Sequence, residues 1–226
     1  MFHDLLNLFY PKTCQCCDVA LVKNEYIVCT SCLHRLPLTY YISDNENPAK
    51  KVFKGRVNIK HAYSLLIFKK KSMVQHLLHN LKYKGQFEIS SFLGTWVGEI
   101  LKENEDFLDI DVVIPVPLHR KRLGERGYNQ VDGFGKKIAE KLNAEFYDKN
   151  LLKIKASKQR ALKKRISRWE NMAQSFIIKD ASALENKNIL LVDDILTTGA
   201  TLEACVNCIS KTNIKSISIT TMAITI

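Results

Sequence analysis

Two hydrophobic patterns alternate along the chain from about residue 50 onward. The first is a short, nearly continuous apolar run, typical of a strand buried on both faces of a sheet. Such runs lie at residues 62–68, 112–116, 189–192 and 217–223. The second is a longer stretch with helical spacing, at residues 73–82, 90–102, 128–142 and 201–211. Strands that alternate with helices predict an α/β domain with a mainly parallel sheet flanked by helices.

The chain before residue 50 has a different character. It is rich in cysteine and in turn-forming residues, and it closes with Ser-Asp-Asn-Glu-Asn-Pro at residues 43–48. A cluster of this kind predicts a linker. We therefore expect a small N-terminal module at residues 1–49 and a main domain at residues 50–226.

The composition agrees with one substantial core and a small appendage, since 46% of the 226 residues are hydrophobic. No stretch approaches the roughly 20 apolar residues of a membrane helix, and the first residues lack the basic region of a secretory signal. We expect a cytoplasmic protein without membrane insertion. The formal charge of +11 favours anionic partners, and a polyphosphate sugar or a nucleic acid would both satisfy it.

Cysteine spacing predicts a metal site in the N-terminal module. Two Cys-x-x-Cys pairs occur there, formed by Cys14, Cys17, Cys29 and Cys32. Pairs of this kind surround a tetrahedral Zn²⁺, and four thiolates leave no open position, so the zinc would be structural. Cys16 breaks the spacing and is interpreted as spare.

Other potential ligands are interpreted as structural. Cys205 and Cys208 lie in an apolar helix and are expected to be buried against the sheet. His76 and His79 have no nearby acidic partner in the sequence, so surface or packing roles are expected. Lys82 begins a Lys-Tyr-Lys-Gly sequence that is typical of a helix C-terminus.

The strongest ligand-binding signal follows the apolar run at residues 189–192. Asp193 and Asp194 come directly after it, and they could hold the hydroxyls of a polyol or a cation. The small and hydroxylated residues 197–201 then lead into a helix, where free N–H groups can bind a phosphate. Ligands bind at such strand ends in open α/β sheets. The Gly-Lys-Ser/Thr of a Walker loop is absent, and Ile138 breaks a dinucleotide fingerprint after Gly133-Phe-Gly135.

Two basic segments could hold a second anion. A proline turn containing Val116 and Pro117 is followed by Arg120-Lys-Arg122 and by Arg126, next to a predicted helix start. This arrangement suits a pyrophosphate, although a solvated basic loop has the same composition. In residues 153–168 eight of sixteen side chains are Lys or Arg and none is acidic. This run is interpreted as a mobile loop, a solvated helix or a nucleic-acid strip, the last weakly supported because Trp169 is the one aromatic nearby.

The segment from residue 188 to residue 201 resembles the 5-phosphoribosyl-1-pyrophosphate (PRPP) motif of type I phosphoribosyltransferases. The wider sequence resembles the ComF family of competence-associated, phosphoribosyltransferase-like proteins over nearly the whole chain, including the four cysteines. The matching positions are Ile-Pro-Val-Pro at 114–117, His119, Arg-Gly-Tyr-Asn-Gln at 126–130, Gln159, Leu162, Arg165, Asn171, Phe176, Val-Asp-Asp at 192–194 and Thr-Thr-Gly-Ala-Thr at 197–201. Leu196 is a mild departure that would alter loop packing without touching an expected ligand.

The resemblance implies a type I phosphoribosyltransferase fold and a set of site residues. Asp193 and Asp194 would hold the ribose 2′- and 3′-hydroxyls. The 5′-phosphate would be bound by the loop residues Thr197, Thr198, Gly199, Ala200 and Thr201. Mg²⁺ accompanies PRPP in the family, bridging pyrophosphate and ribose. The pyrophosphate candidates are Val116, Pro117, Arg126, Arg160 and Arg165, the last two in a loop that closes over PRPP in related enzymes.

Two hypotheses about function follow. The first is Mg²⁺-dependent transfer of a phosphoribosyl group to an unidentified acceptor, with release of pyrophosphate and a role in natural competence. The second is a binding protein, either a non-catalytic PRPP-dependent regulator or an accessory that engages single-stranded DNA and competence proteins.

Overall fold

A five-stranded parallel sheet forms the centre of the main domain. The computed structural model describes residues 11–42, 47–154 and 175–226. Its strands are β1 (Ala62–Phe68), β2 (Val112–Pro115), β3 (Glu145–Phe146), β4 (Leu151–Lys153), β5 (Phe176–Ile178), β6 (Asn188–Leu196) and β7 (Ser216–Thr225). The sheet has the order β1-β7-β6-β2-β3, with parallel pairing throughout. Strands β4 and β5 form a separate antiparallel pair.

The strand predictions are confirmed, with one change that affects the site. Strand β6 continues to Leu196, beyond the predicted end at Val192. The extension is stabilised by β7, because Asp193 pairs with Thr221 and Leu196 pairs with Ile224. Asp193 and Asp194 therefore lie inside a strand and not in a loop after it.

Seven α-helices are described, and four of them correspond to the four predicted helical stretches. The seven are α1 (Thr30–Arg35), α2 (Pro48–Phe53), α3 (Met73–Tyr83), α4 (Glu88–Lys102), α5 (Arg120–Arg126), α6 (Asp132–Leu142) and α7 (Ala200–Ile209). The prediction of one helix starting at Tyr128 is wrong. The left-handed Gly127 ends α5 by donating its N–H to the carbonyl of Leu123 at 2.7 Å, and the next helix begins at Asp132. None of the helices in the described ranges is long and apolar enough to span a membrane.

The sheet has an apolar layer on each face. On one face α3, α4 and α6 bury Leu77, Leu93 and Phe134. On the other, α2 and α7 bury Phe53 and Leu202. Each fully buried side chain of this size contributes about 1.5–3 kcal/mol to folding. Because the cysteine module packs into the first layer and α2 into the second, the sheet orients both. The division at residue 50 stays a prediction.

Helices α4 and α6 pack at very close range where a glycine faces a backbone. A Cβ atom on Gly94 would lie 2.5 Å from the carbonyl oxygen of Phe134, which is closer than van der Waals contact permits. Gly124, in contrast, has open space around its Cα. The absence of a side chain at Gly94 therefore sets the separation of the two helices.

We expect Gly94→Ala to lower the free energy of unfolding by about 1–3 kcal/mol, because the new methyl group overpacks the contact with α6. Gly124→Ala is the matched control, and it should leave stability unchanged or raise it by up to about 1 kcal/mol through its better helix propensity. Thermal and urea unfolding of both variants measure the difference. Equal effects of the two substitutions would show that the close approach does not limit packing.

Candidate functional site

Two adjacent carboxylates lie at the carboxyl edge of the sheet. Successive side chains of a strand point to opposite faces, so Asp193 and Asp194 are directed to opposite sides of β6. Asp194 is 8% exposed and contacts residues on the face covered by α3 and α6. Asp193 interacts electrostatically with Lys153 of β4 and Cys205 of α7. The edge of the sheet thus presents one carboxylate to each layer.

Asp194 is held by two donors that come from different helical regions. The Lys82 ammonium lies 2.9 Å from Asp194 Oδ2, and the Gln130 side-chain amide donates to the same oxygen at 2.7 Å. In the sequence, Lys82 is recognisable only as part of a helix end. The contact joins residues far apart in the chain, and no local pattern marks a lysine as the partner of a distant carboxylate.

The local charges explain how two carboxylates can share this edge. Burial and the neighbouring charge of Asp194 raise the pKa of Asp193. The N–H of Asp194, donated to Asp193 Oδ1 at 2.8 Å, and the ammonium groups of Lys82 and Lys153 act in the opposite direction. A lysine on each side of the strand therefore offsets part of the repulsion between the acids.

The predicted phosphate loop connects β6 to the N-terminus of α7. Gly199 has a φ of 71°, and a Cβ atom there would lie 2.7 Å from Val52 Cγ1, so both the conformation and the packing require glycine. Thr197 and Thr198 are exposed. The loop packs against α2 at Gly199, and the two exposed threonines lie where an anion can approach the N-terminus of α7.

Arg56 supports this loop from behind. Its guanidinium donates to the carbonyl of Thr198 at 2.6 Å and to that of Val52 at 3.0 Å. It also forms an ion pair with Glu203, a buried residue in the first turn of α7. No sequence motif indicates this role for Arg56. A single side chain connects α2, the loop and the helix that follows the loop.

The predicted pyrophosphate residues that the structure describes, Val116, Pro117 and Arg126, lie near the carboxylates. The Val116 N–H donates to the Val192 carbonyl at 2.8 Å, which places the turn containing Pro117 next to the acidic end of β6. Arg126 donates to Gln130 Oε1 at 2.7 Å, and Gln130 in turn donates to Asp194. The side-chain amide of Gln130 therefore links Arg126 to Asp194.

Most of the basic run at residues 153–168 lies outside the described residues. Arg160 and Arg165 are among the residues outside the described ranges, together with Gln159, Leu162, Asn171 and Trp169. The strands that flank this segment are described: Lys153 of β4 pairs with Phe176 of β5. Strand β5 contacts α7, so the antiparallel pair lies on the α7 side of the sheet.

The four predicted zinc ligands come together. The sulfur atoms of Cys14, Cys17, Cys29 and Cys32 all lie within 4.8 Å of one another, a spacing compatible with one structural zinc ion. Burial opposes ionisation of Cys14, but the N–H groups of Cys29 and Cys16 donate to its sulfur at 3.3 and 3.4 Å. The net effect lowers the pKa of Cys14 to about 7. Such donors stabilise a thiolate.

The other three cysteines agree with the sequence interpretation. Cys16 lies outside the cluster, and burial together with the neighbouring thiols raises its pKa to about 12, which keeps it a neutral thiol. Cys205 and Cys208 are buried in α7, as predicted. Burial also raises the pKa of each of them.

Helix α3 carries a contact that the sequence did not indicate. His76 Nε2 lies 3.5 Å from Asp18 Oδ2, and its Nδ1 lies 3.3 Å from the carbonyl oxygen of Cys16. Asn80 donates to the carbonyl of Gln15 at 3.2 Å. Asp18 is far from His76 in the sequence, so their pairing arises from the fold. The cysteine module is joined to the helix whose last turn contains Lys82.

Comparison with known proteins gives one domain match and several related sequences. The model described as "Phosphoribosyl transferase domain" matches residues 134–223. Competence protein ComFC of Streptococcus pneumoniae is 27% identical over 203 residues, which are 89% of this chain and 83% of the relative. Competence protein F of Haemophilus influenzae is 25% identical over 63% of this chain and 64% of its own. ComFC of Bacillus subtilis is 30% identical over 61% of this chain and 53% of its own.

Two solved structures align with part of this chain. Glutamine PRPP amidotransferase from B. subtilis aligns with a TM-score of 0.44 and 15% identity, over 63% of this chain and 30% of that chain. Adenine phosphoribosyltransferase from Trypanosoma brucei aligns with a TM-score of 0.41 and 12% identity, over 72% and 83%.

We expect Cys32→Ser to abolish zinc binding, because a structural site needs all four thiolates. The thermal midpoint should fall by more than about 10 °C, since structural zinc contributes on the order of 10 kcal/mol in small modules. Cys16→Ser is the matched control and should retain the metal. Zinc content per chain and thermal unfolding provide the measurement. Equal zinc loss in both variants would contradict the assignment of Cys16 as spare.

Proposed function

Because this chain belongs to the ComF family of phosphoribosyltransferase-like proteins and has the type I phosphoribosyltransferase fold, we propose that it binds PRPP and transfers its phosphoribosyl group to an acceptor. One observation carries the proposal. The carboxylates of β6 and the phosphate loop before α7 are consecutive on one strand end, so they present hydroxyl acceptors and phosphate donors side by side. A ribose 5-phosphate requires this combination.

The 5′-phosphate is bound by the amides and hydroxyls of residues 197–201 at the N-terminus of α7. Asp193 and Asp194 accept hydrogen bonds from the ribose 2′- and 3′-hydroxyls. Arg56 keeps the loop in its binding conformation through the Thr198 carbonyl. The 5′-phosphate is thereby fixed on one layer of the protein, and the anomeric carbon C1 is directed toward the turn after β2.

The pyrophosphate lies against the turn formed by Val116 and Pro117, with Arg126 as its cationic partner. Arg160 and Arg165 supply further charge from the segment between β4 and β5. The acceptor displaces pyrophosphate at C1 through a transition state with oxocarbenium character. The main contribution of the protein is electrostatic, because negative charge develops on the departing group while the Arg126 guanidinium is already held beside it.

Mg²⁺ bound to PRPP would neutralise part of the pyrophosphate charge. It would be held mostly by oxygen atoms of the substrate. This fits the donor set, because within the described ranges the four cysteines form the one cluster of three or more potential metal ligands. The same cysteines hold a zinc ion whose role is structural, since all four coordination positions are filled by thiolates.

A role in DNA uptake is part of the proposal. It is supported by the names of the relatives, which include competence proteins and, in Escherichia coli, DNA utilization protein YhgH. The high positive charge of the chain agrees with a polyanionic partner. In this proposal PRPP chemistry and handling of single-stranded DNA belong to the same cytoplasmic process.

We expect Asp193→Asn combined with Asp194→Asn to weaken PRPP binding by at least about 100-fold, because each carboxylate accepts charge-assisted hydrogen bonds from the ribose. Asp109→Asn is the matched control, as Asp109 is an exposed acid paired with Lys60 away from the loop. Isothermal titration calorimetry with PRPP measures the affinities. Unchanged affinity in the double variant would sink the assignment of this edge as the PRPP site.

Transfer itself is tested by pyrophosphate release. The wild-type protein, incubated with PRPP, Mg²⁺ and a panel of purines, pyrimidines and amines, should release pyrophosphate with at least one acceptor. The Asp193→Asn, Asp194→Asn double variant should release none above the uncatalysed rate. Measurable PRPP binding without release for any acceptor would favour a non-catalytic, PRPP-dependent regulator.

A further inference from the structure

We propose that Lys82 is a built-in cation for the pyrophosphate of PRPP, and that PRPP binding to this protein therefore depends only weakly on Mg²⁺. The inference rests on the proposed function, because it assumes that PRPP occupies the edge of the sheet at Asp194. It adds a binding residue that the motifs do not contain, and it assigns that residue the neutralising role that a divalent cation would otherwise have during binding.

The ammonium group of Lys82 lies directly beside the Asp194 carboxylate. Lys82 Nζ lies 2.9 Å from Asp194 Oδ2, and both side chains are largely buried, with 19% and 11% of their surface exposed. Gln130 donates to the same oxygen. One oxygen of the carboxylate thus has two strong donors, while Oδ1 is left for a ribose hydroxyl. A divalent cation at Oδ2 would have to displace both donors.

Lys82 also lines a cavity that is rich in cations. The cavity, of about 390 Å³, is lined by Lys82, Arg122 and Arg126, with Glu125 as the one acidic side chain among its described lining residues. Three cations against one anion favour a strongly negative ligand. A diphosphate group is small enough for this volume. Lys82 both lines this cavity and contacts Asp194, so the pyrophosphate and the ribose of one PRPP molecule would lie on its two sides.

Arg126 is already fixed for such a ligand. Its guanidinium carbon lies 5.2 Å from the centre of the Tyr83 ring, and it donates to Gln130 Oε1 at 2.7 Å. Guanidinium groups bind phosphate oxygens through paired N–H donors, and a held side chain loses little entropy on binding. The same amide that fixes Arg126 also contacts Asp194, so the cations and the carboxylate form one connected unit.

The two carboxylates of β6 are not arranged to share one divalent cation. Because Asp193 and Asp194 point to opposite faces of β6, they cannot chelate one divalent cation between them. Asp194 is paired with Lys82, and the charges of both Lys82 and Lys153 act to lower the pKa of Asp193. Positive charge at this edge therefore comes from the protein. Mg²⁺ brought by PRPP adds to charge neutralisation in the transfer step, but it is not needed to hold the substrate.

The experiment compares PRPP affinity with Mg²⁺ and with EDTA by calorimetry. For the wild type we expect a change of less than about fivefold between the two conditions. For Lys82→Gln we expect a loss of about 10- to 100-fold in EDTA, the value of one charged hydrogen bond, with partial recovery when Mg²⁺ is added. Lys84→Gln, an exposed lysine two residues further along, should behave as wild type.

Lys82→Arg separates charge from folding, because it keeps a cation beside Asp194. It should bind PRPP in EDTA within about tenfold of wild type. Inorganic pyrophosphate is a second probe: it should bind the wild type in EDTA and bind Lys82→Gln more weakly. The inference is overturned if the wild type requires Mg²⁺ as strongly as Lys82→Gln does, or if Lys82→Gln and Lys84→Gln bind equally. Absence of PRPP binding to the wild type under both conditions would overturn the proposed function as well.

Discussion

Placing two adjacent carboxylates at the end of a buried strand has an electrostatic cost, and much of the surrounding architecture offsets that cost. Asp193 and Asp194 repel each other and lose hydration, which raises the pKa of Asp193. The side chains that offset this cost come from separate parts of the chain. Lys82 lies in the last turn of α3, Gln130 precedes α6 and Lys153 ends β4. The sheet has to be assembled before these groups meet. The ligand site is therefore a product of the complete fold, although its motif occupies only a few residues.

The features predicted correctly from the sequence are those with a local cause. Continuous apolar runs identified the main parallel strands, because burial on both faces imposes that pattern. Paired cysteines predicted the four-cysteine cluster, since tetrahedral ligation restricts their spacing. The glycine before the predicted helix indicated a tight turn, and Gly199 has the left-handed conformation that such a turn requires. In each case the physical requirement acts over a few neighbouring residues.

The features that the sequence did not reveal depend on contacts between distant segments. Strand β6 extends through the acids because β7 continues beside it, and neither segment alone contains that information. Arg56 and Lys82 lie in unremarkable basic stretches, and their partners Glu203 and Asp194 are far along the chain. The start of α6 was misplaced because Gly127 ends a short helix first. Long-range pairing of this kind leaves no periodic signal in one sequence.

The contacts between the cysteine module and α3 have a consequence for how such proteins can diversify. His76 and Asn80 join the segment at Gln15 and Cys16 to the helix whose last turn carries Lys82. A change in the module that shifts this helix would also displace the ammonium group beside Asp194. The two parts are therefore not interchangeable blocks. A module grafted from one relative onto another would have to bring a matching helix surface with it, so the two should be inherited together.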